Sequence, residues 1–222
     1  SIVLVLVIFR ILTQVEQKIK NDTQQSHDAM QFRIATTALL ETSLEKLTLH
    51  HQLEVALEIV LAVTRLHVEY KGSIFLFNEK TNNLDLTAQR NLHDSLLIQC
   101  KEISLGHCLC GRAAEQREIV YSNSIDERHD IHFDGMKPHG HYCIPILSQN
   151  SLLGVLNLYL KPNSIRTSEG DAFMTIIANT LAGIIERRKM EEKLQKAEVK
   201  LKELAHYDGL TGLPNRVLLH EI

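Results

Sequence analysis

The chain has 222 residues, a formal net charge of -3, a hydrophobic fraction of 44% and a charged fraction of 23%. These are the proportions of a globular protein with an adequate core, and the near-neutral charge excludes a field that would gather nucleic acid or acidic lipid. Four cysteines in this length exclude a secreted disulfide scaffold and favour a reduced, cytoplasmic setting, where thiols serve metal binding, redox work or packing.

The chain opens on the apolar run SIVLVLVIF, residues 1–9, followed by Arg10, Lys18 and Lys20. This is too short to span a bilayer, which takes about 20 apolar residues, but basic residues flank the inner ends of such spans. The expectation is the truncated end of a transmembrane helix, which would tether a cytoplasmic domain to the inner membrane. Residues 10–37 are polar and free of Gly and Pro, and read as a solvated helical linker. Leu40, Leu44, Leu47, Leu53, Leu57, Val60 and Leu61 then recur at helical spacing, with Lys71-Gly72 as the expected break.

Strand signals follow. SIFLF and LDLTAQ flank the polar turn NEKTNN. LLIQCKEISL reads as a strand, or as a short helix and a strand. GRAAEQRE has helix composition and IVYSN that of a strand. HYCIPIL and SLLGVLNLYL flank the turn SQN, with Pro145 marking an edge or a break in pairing. A long helix begins near Ser168, the expected N-cap, with Asp171 three residues on. Met190, Leu194, Ala197, Leu201 and Leu204 alternate at four and three residues, a heptad seam suited to a parallel homodimer. The sum is an α+β domain with a central antiparallel sheet flanked by helices and long helices at both ends.

The chemistry concentrates between residues 100 and 143. Cys100, Cys108, Cys110 and Cys143 all fall there, with His107, His129, His132, His139 and His141. If residues 108–110 are extended, Cys108 and Cys110 face the same way and can share one ion with Cys143. Thiolates suit zinc or an iron–sulfur cluster, so the metal candidates are Cys108, Cys110, Cys143 and Cys100. His107, His139 and His141 are the candidate imidazole ligands for a cofactor. A haem held by a histidine is a lesser option, since C-x-x-C-H is missing. The run DERHDIHFDGMKPHGH reads as a solvated loop or lid, with Asp126, Glu127, His129, Asp130, His132 and Asp134 as possible ligands of a harder cation. Plain core packing of the cysteines is the alternative.

Two family resemblances organise these segments. The C-terminal DGLTGLPNR, with Asp208, Leu210, Thr211, Gly212, Leu213, Asn215 and Arg216, resembles the opening of GGDEF domains, the diguanylate cyclases. That resemblance implies a coupling hinge at Asp208, Asn215 and Arg216. It also implies that the catalytic residues would lie beyond Ile222, so these residues alone would not make cyclic di-GMP. Residues 38–187 resemble a GAF domain, carried by GSIFLFNEKTNNLDLTAQRN, ISLGHCLCGRAAEQREIVYSN and IPILSQNSLLGVLNLYL. The implied organisation is a GAF domain over 38–187, a coiled-coil signalling helix over 188–206 and the start of a GGDEF domain over 207–222. The implied function is sensory input to a diguanylate cyclase, with a small molecule, a gas or a redox change as the signal. A ligand-free dimerisation scaffold is the alternative. CKEISLGHCLCG also resembles the cysteine spacing of free methionine sulfoxide reductases, but the loop 122–142 lacks the nucleophilic cysteine of that family, and the activity is not carried over.

Overall fold

Residues 2–63, 68–149, 151–207 and residue 213 are described by the structure, a computed structural model. In chain order they form helices α1 (Ile2–Leu44) and α2 (Leu49–Leu61), strands β1 (Val68–Asn78) and β2 (Asn83–Arg90), helix α3 (Asp94–Gln99), strand β3 (Glu102–Ser104), helix α4 (Cys108–Gln116), strands β4 (Val120–Ser122), β5 (Gly140–Ser148) and β6 (Ser151–Leu160), and helix α5 (Ser168–His206). The strands build one antiparallel sheet in the order β3-β2-β1-β6-β5-β4. The expected α+β architecture is therefore present. Asp208, Asn215 and Arg216, the expected coupling hinge, lie outside the described residues.

Alternation along the three central strands divides the core in two. Ile74 of β1, Tyr142, Ile144 and Ile146 of β5, and Leu156, Leu158 and Leu160 of β6 face α2 and α5. Phe75, Cys143, Val155 and Tyr159 face the other way, toward α3, α4 and the long connection after β4. Both faces are covered, which is why β5 and β6 read as almost continuous apolar runs. Pro145 is accommodated because β4 pairs β5 only at His141, Tyr142 and Cys143, so the side of β5 beyond Cys143 is free of β4.

Several local expectations are corrected. The leucine stripe belongs to two helices, and the chain turns between Leu44 and Leu49, with Thr48 capping α2 by accepting from the His51 amide at 3.3 Å. Leu40 and Leu44 are exposed, while Ala35 and Leu39 are buried in their place. Lys71 and Gly72 lie inside β1, not at a helix end. The cap of α5 is Thr167, whose hydroxyl accepts from Gly170 N at 3.1 Å; Asp171 instead pairs with Arg166 and accepts from the Tyr142 hydroxyl. Cys108 opens α4 with φ 54° and Cys110 lies in the first turn of that helix, so residues 108–110 are not the extended segment expected.

At the helix ends, α1 and α5 are long and continuous. Residues 10–37 are helical as expected, and no helix among the described residues is long and apolar enough to cross a membrane. Met190, Leu194, Leu201 and Leu204 are exposed along α5. Where α1 meets α2 the last carbonyls of α1 need partners. Gln52, fully buried, donates to the Thr42 and Glu45 carbonyls at 3.0 and 3.2 Å. Arg188 of α5 donates to Gln52 Oε1 at 2.9 Å and to the Glu45 and Leu47 carbonyls. This guanidinium binds three elements together at the point where α5 leaves the sheet. Arg188→Ala is expected to lower stability by about 1.5–3 kcal/mol in urea denaturation, the range for hydrogen bonds to a charged group.

Candidate functional site

The site lies on the α3/α4 face of the sheet, where the strand period sets polar residues among apolar ones. On β5, His141 and Cys143 are two apart and share this face. Across the ladder, Cys143 is opposite Asn157 and His141 opposite Tyr159 on β6, and Asn157 is opposite Ser73 on β1. These are buried residues. His139 precedes β5, and His129 comes from the connection between β4 and β5; both are 4% exposed, although they belong to a loop of polar composition.

The three imidazoles converge. His141 Nε2 lies 3.0 Å from His129 Nε2 and 3.0 Å from His139 Nε2. One ring nitrogen from each lies within 4.8 Å of the other two, and among the described residues no other set of three histidine, cysteine or acidic side chains is gathered in this way. The opposite ring nitrogens face outward. His139 Nδ1 is 2.7 Å from the Lys137 carbonyl, and His141 Nδ1 is 2.9 Å from Asn157 Oδ1. Asn157 Nδ2 donates to Ser73 Oγ at 3.3 Å, which aims its oxygen at His141. His129 Nδ1 is buried without a hydrogen bond among the described residues.

Burial disfavours the charged imidazole and pushes His141 down to about 3. It lowers His129 and His139 as well, with His139 and His132 adding repulsion at His129. All three are therefore neutral at neutral pH and keep a lone pair for a ligand role. Tyr159 packs against the rings of His139 and His141, with Lys71 Nζ held 4.0 Å from its ring centre. Burial lowers the Lys71 pKa.

The cysteines divide. Cys110 Sγ lies 3.7 Å from Cys143 Sγ, and Cys143 Sγ is 3.4 Å from Asn157 Oδ1. Cys100 and Cys108 line a small cavity of about 20 Å³ beside Cys110, His129, His141 and Asn157, room for about one water. Among the described residues no three sulfurs lie within 4.8 Å of one another. The structure thus joins Cys110 to Cys143 and sets Cys100 and Cys108 on the cavity wall. His107 is outside the cluster: it is half exposed, with Nδ1 3.5 Å from Asp130 Oδ2. Asp130 also accepts from the Cys108 amide at 2.6 Å, at the start of α4.

Of the residues considered for a harder cation, only His129 joins the site. Asp126 is engaged by Arg128 and Ser122, and the Arg128 guanidinium holds its carboxyl well below the usual range. Within the connection carrying these residues, His129 and Ile131 are buried against the sheet side, so this segment covers the site. An open cleft of about 540 Å³ lies between this cover and the sheet, bordered by Lys71, His93, Phe133, Lys137 and His139.

Two members escaped the sequence reading. Asn157 is the one polar residue inside the run VLNLYL, a signal that was available. His129 was weighed only as a ligand of a harder cation, with Asp126, Glu127, Asp130, His132 and Asp134, and its partnership with His139 and His141 depends on a loop path that spacing does not reveal.

The folded surroundings of Cys100, Cys108 and Cys110 disfavour their thiolates. Burial pushes Cys100 up to about 12 and raises Cys108, while the hydrogen bond with Cys143, followed by burial, raises Cys110. A chromogenic disulfide reagent at pH 8 is expected to titrate four thiols rapidly in denaturant and to react with native protein at least about 100-fold more slowly, reflecting thiolate fraction and access.

Comparison with known proteins agrees with this geometry at the level of fold. The family model of the GAF domain matches residues 50–186. The GAF domain of a phosphoenolpyruvate-protein phosphotransferase from Coxiella burnetii superposes with a TM-score of 0.64 at 19% identity, covering 74% of this chain and 98% of that one. The corresponding Acinetobacter domain gives 0.58 at 18% identity, covering 73% and 94%. Free methionine-R-sulfoxide reductase from Neisseria meningitidis, in complex with its substrate, gives 0.59 at 14% identity, covering 72% and 91%. No curated protein matches the chain. With the family model spanning more than half of its length, the chain belongs to the GAF domain family.

Proposed function

We propose that this chain is the sensory input region of a diguanylate cyclase, and that its GAF domain senses through the buried imidazoles and Asn157, beside the thiols of Cys110 and Cys143. The resemblance of DGLTGLPNR to a GGDEF opening supports the identity of the output unit. The single observation that carries the sensory reading is the burial of His129, His139, His141 and Asn157 on a face otherwise packed with apolar residues. A domain that only dimerises gains nothing from such a cluster, because buried polar groups cost free energy unless fully partnered.

Strand β5 supplies the route to α5. His141 and Cys143 face the site, while Tyr142 between them faces α5 and donates to Asp171 in its first turn. A change that shifts β5 at His141 moves Tyr142 against the helix. From there α5 runs without a break to His206, and its exposed Met190, Leu194, Leu201 and Leu204 form the seam of a homodimer. A ligand acts on this path only through a difference in affinity between two arrangements of it.

An enzyme acting through its thiols is less well supported. Cys143 is fully buried and Cys110 nearly so, and the raised pKa of Cys110 removes its thiolate at neutral pH.

Cyclic di-GMP synthesis by the intact protein tests the reading. His141→Gln is expected to change the rate at least about fivefold, a coupling near 1 kcal/mol. The same substitution on a Tyr142→Phe background is expected to have little further effect. Full, undiminished sensitivity to His141→Gln without the Tyr142 hydroxyl would contradict the route, and no sensitivity in either background would contradict the sensory role.

A further inference from the structure

The three histidines pose a problem of proton count. His139 Nδ1 faces a carbonyl and His141 Nδ1 faces a carboxamide oxygen, and both partners only accept. Each Nδ1 therefore carries the hydrogen of its neutral ring, and each Nε2 is bare. Yet these two bare nitrogens lie 3.0 Å apart, with lone pairs opposed. His129 can place a hydrogen on Nε2 and donate it to His141, leaving its Nδ1 bare and buried. That satisfies one contact of the two. Between His139 and His141 no hydrogen is available, and the pair calls for a cation.

A proton is a poor answer, because all three rings are buried and, among the described residues, no carboxylate joins the set to balance an imidazolium. A divalent metal suits them better. Neutral imidazole is a common ligand of zinc and its neighbours, with a metal–nitrogen distance of about 2.0–2.1 Å, which places ligand nitrogens about 3.3 Å apart in a tetrahedral site. The observed spacings of 3.0 Å, and the 4.8 Å limit on the widest, need only small ring movements to reach that geometry. The hydrogen bonds from Nδ1 to Lys137 O and Asn157 Oδ1 are the outer partners that fix ring orientation in metal-binding histidines.

We infer that His129, His139 and His141 form a three-imidazole site for a divalent transition metal of the zinc class, using nitrogen ligands in place of the thiolates that the sequence emphasised. This deepens the sensory reading and rests on it for its biological role. Three imidazoles leave a fourth position for water or a small ligand, and the cavity of about 20 Å³ beside His129 and His141 has room for one. Because His129 belongs to the covering loop and His139 and His141 to the sheet side, one ion fastens the cover to β5.

The test is a titration of the metal-stripped 222-residue chain with Co²⁺, followed by competition with Zn²⁺. The inference expects one Co²⁺ per chain, visible ligand-field bands of a low-coordinate ion, no sulfur-to-cobalt charge transfer in the near ultraviolet, and displacement by Zn²⁺. His129→Phe, and independently His139→Gln, are expected to weaken binding by more than about 100-fold, beyond the 10–100-fold typical of outer-partner changes. Asn157→Ala is expected to fall within that outer-partner range. Retained far-ultraviolet circular dichroism confirms that each variant folds, and having two ligand variants keeps the test open if one does not. Folded wild-type protein that binds no stoichiometric Co²⁺ overturns the inference, as does strong charge transfer that vanishes in Cys110→Ser or Cys143→Ser. The two readings fail separately. Loss of Co²⁺ binding in His129→Phe with unaltered cyclic di-GMP output leaves the metal site and removes the sensory role. Output that responds to His141→Gln in protein that binds no metal does the reverse.

Discussion

One carboxamide oxygen organises the site. Asn157 Oδ1 lies 2.9 Å from His141 Nδ1 and 3.4 Å from Cys143 Sγ, at the centre of a sheet covered on both faces. Its own amide is held by Ser73. In a low-dielectric interior such a network is favourable only when its members are satisfied, so the orientation of Asn157 dictates which nitrogen of His141 carries hydrogen. That choice sends a bare Nε2 toward His129 and His139, and everything proposed for the site follows from the direction of that lone pair. The strands make the arrangement exact: Asn157 is opposite both Cys143 and Ser73, and a slip of one residue would turn it toward α2 and α5.

The same alternation that builds the site joins it to the helices. Strand β5 carries His141 and Cys143 on one face and Tyr142 and Ile144 on the other. It pairs with β6 along its whole length but with β4 at only three positions. Residues beyond Cys143 thus lack a partner strand on that side. The packing of α5 against β5, the Tyr142–Asp171 contact and the latch of Arg188 onto the α1–α2 turn attach the base of the long helix to the sheet and to that turn. Met190, Leu194, Leu201 and Leu204 are exposed further along α5, where the proposed dimer would place its seam.

Much of the architecture was legible because burial follows period. The two hairpins, the α+β class and the long last helix are stated by alternation, by the cap signal around Ser168 and by the heptad spacing from Met190. Local chemistry was less legible. Thr167 and Ser168 are equally good caps by composition, and only the path of the chain selects the first. Cys108 and Cys110 were expected to be parallel, but Cys108 adopts φ 54° at the start of α4, a backbone state that sequence does not announce. The thiols drew attention because cysteine is rare here, whereas twelve histidines dilute the signal of the three that meet. His139 and His141 were identified, with His107, as imidazole candidates beside the cysteines. His129 reaches them only through the fold of the loop.

The most direct measurement is X-ray absorption at the zinc edge of the Zn²⁺-loaded chain. The account predicts nitrogen scatterers at about 2.0–2.1 Å with the multiple-scattering pattern of three imidazoles, and no sulfur shell at about 2.3 Å. A first shell dominated by sulfur would contradict it and return the site to the cysteines.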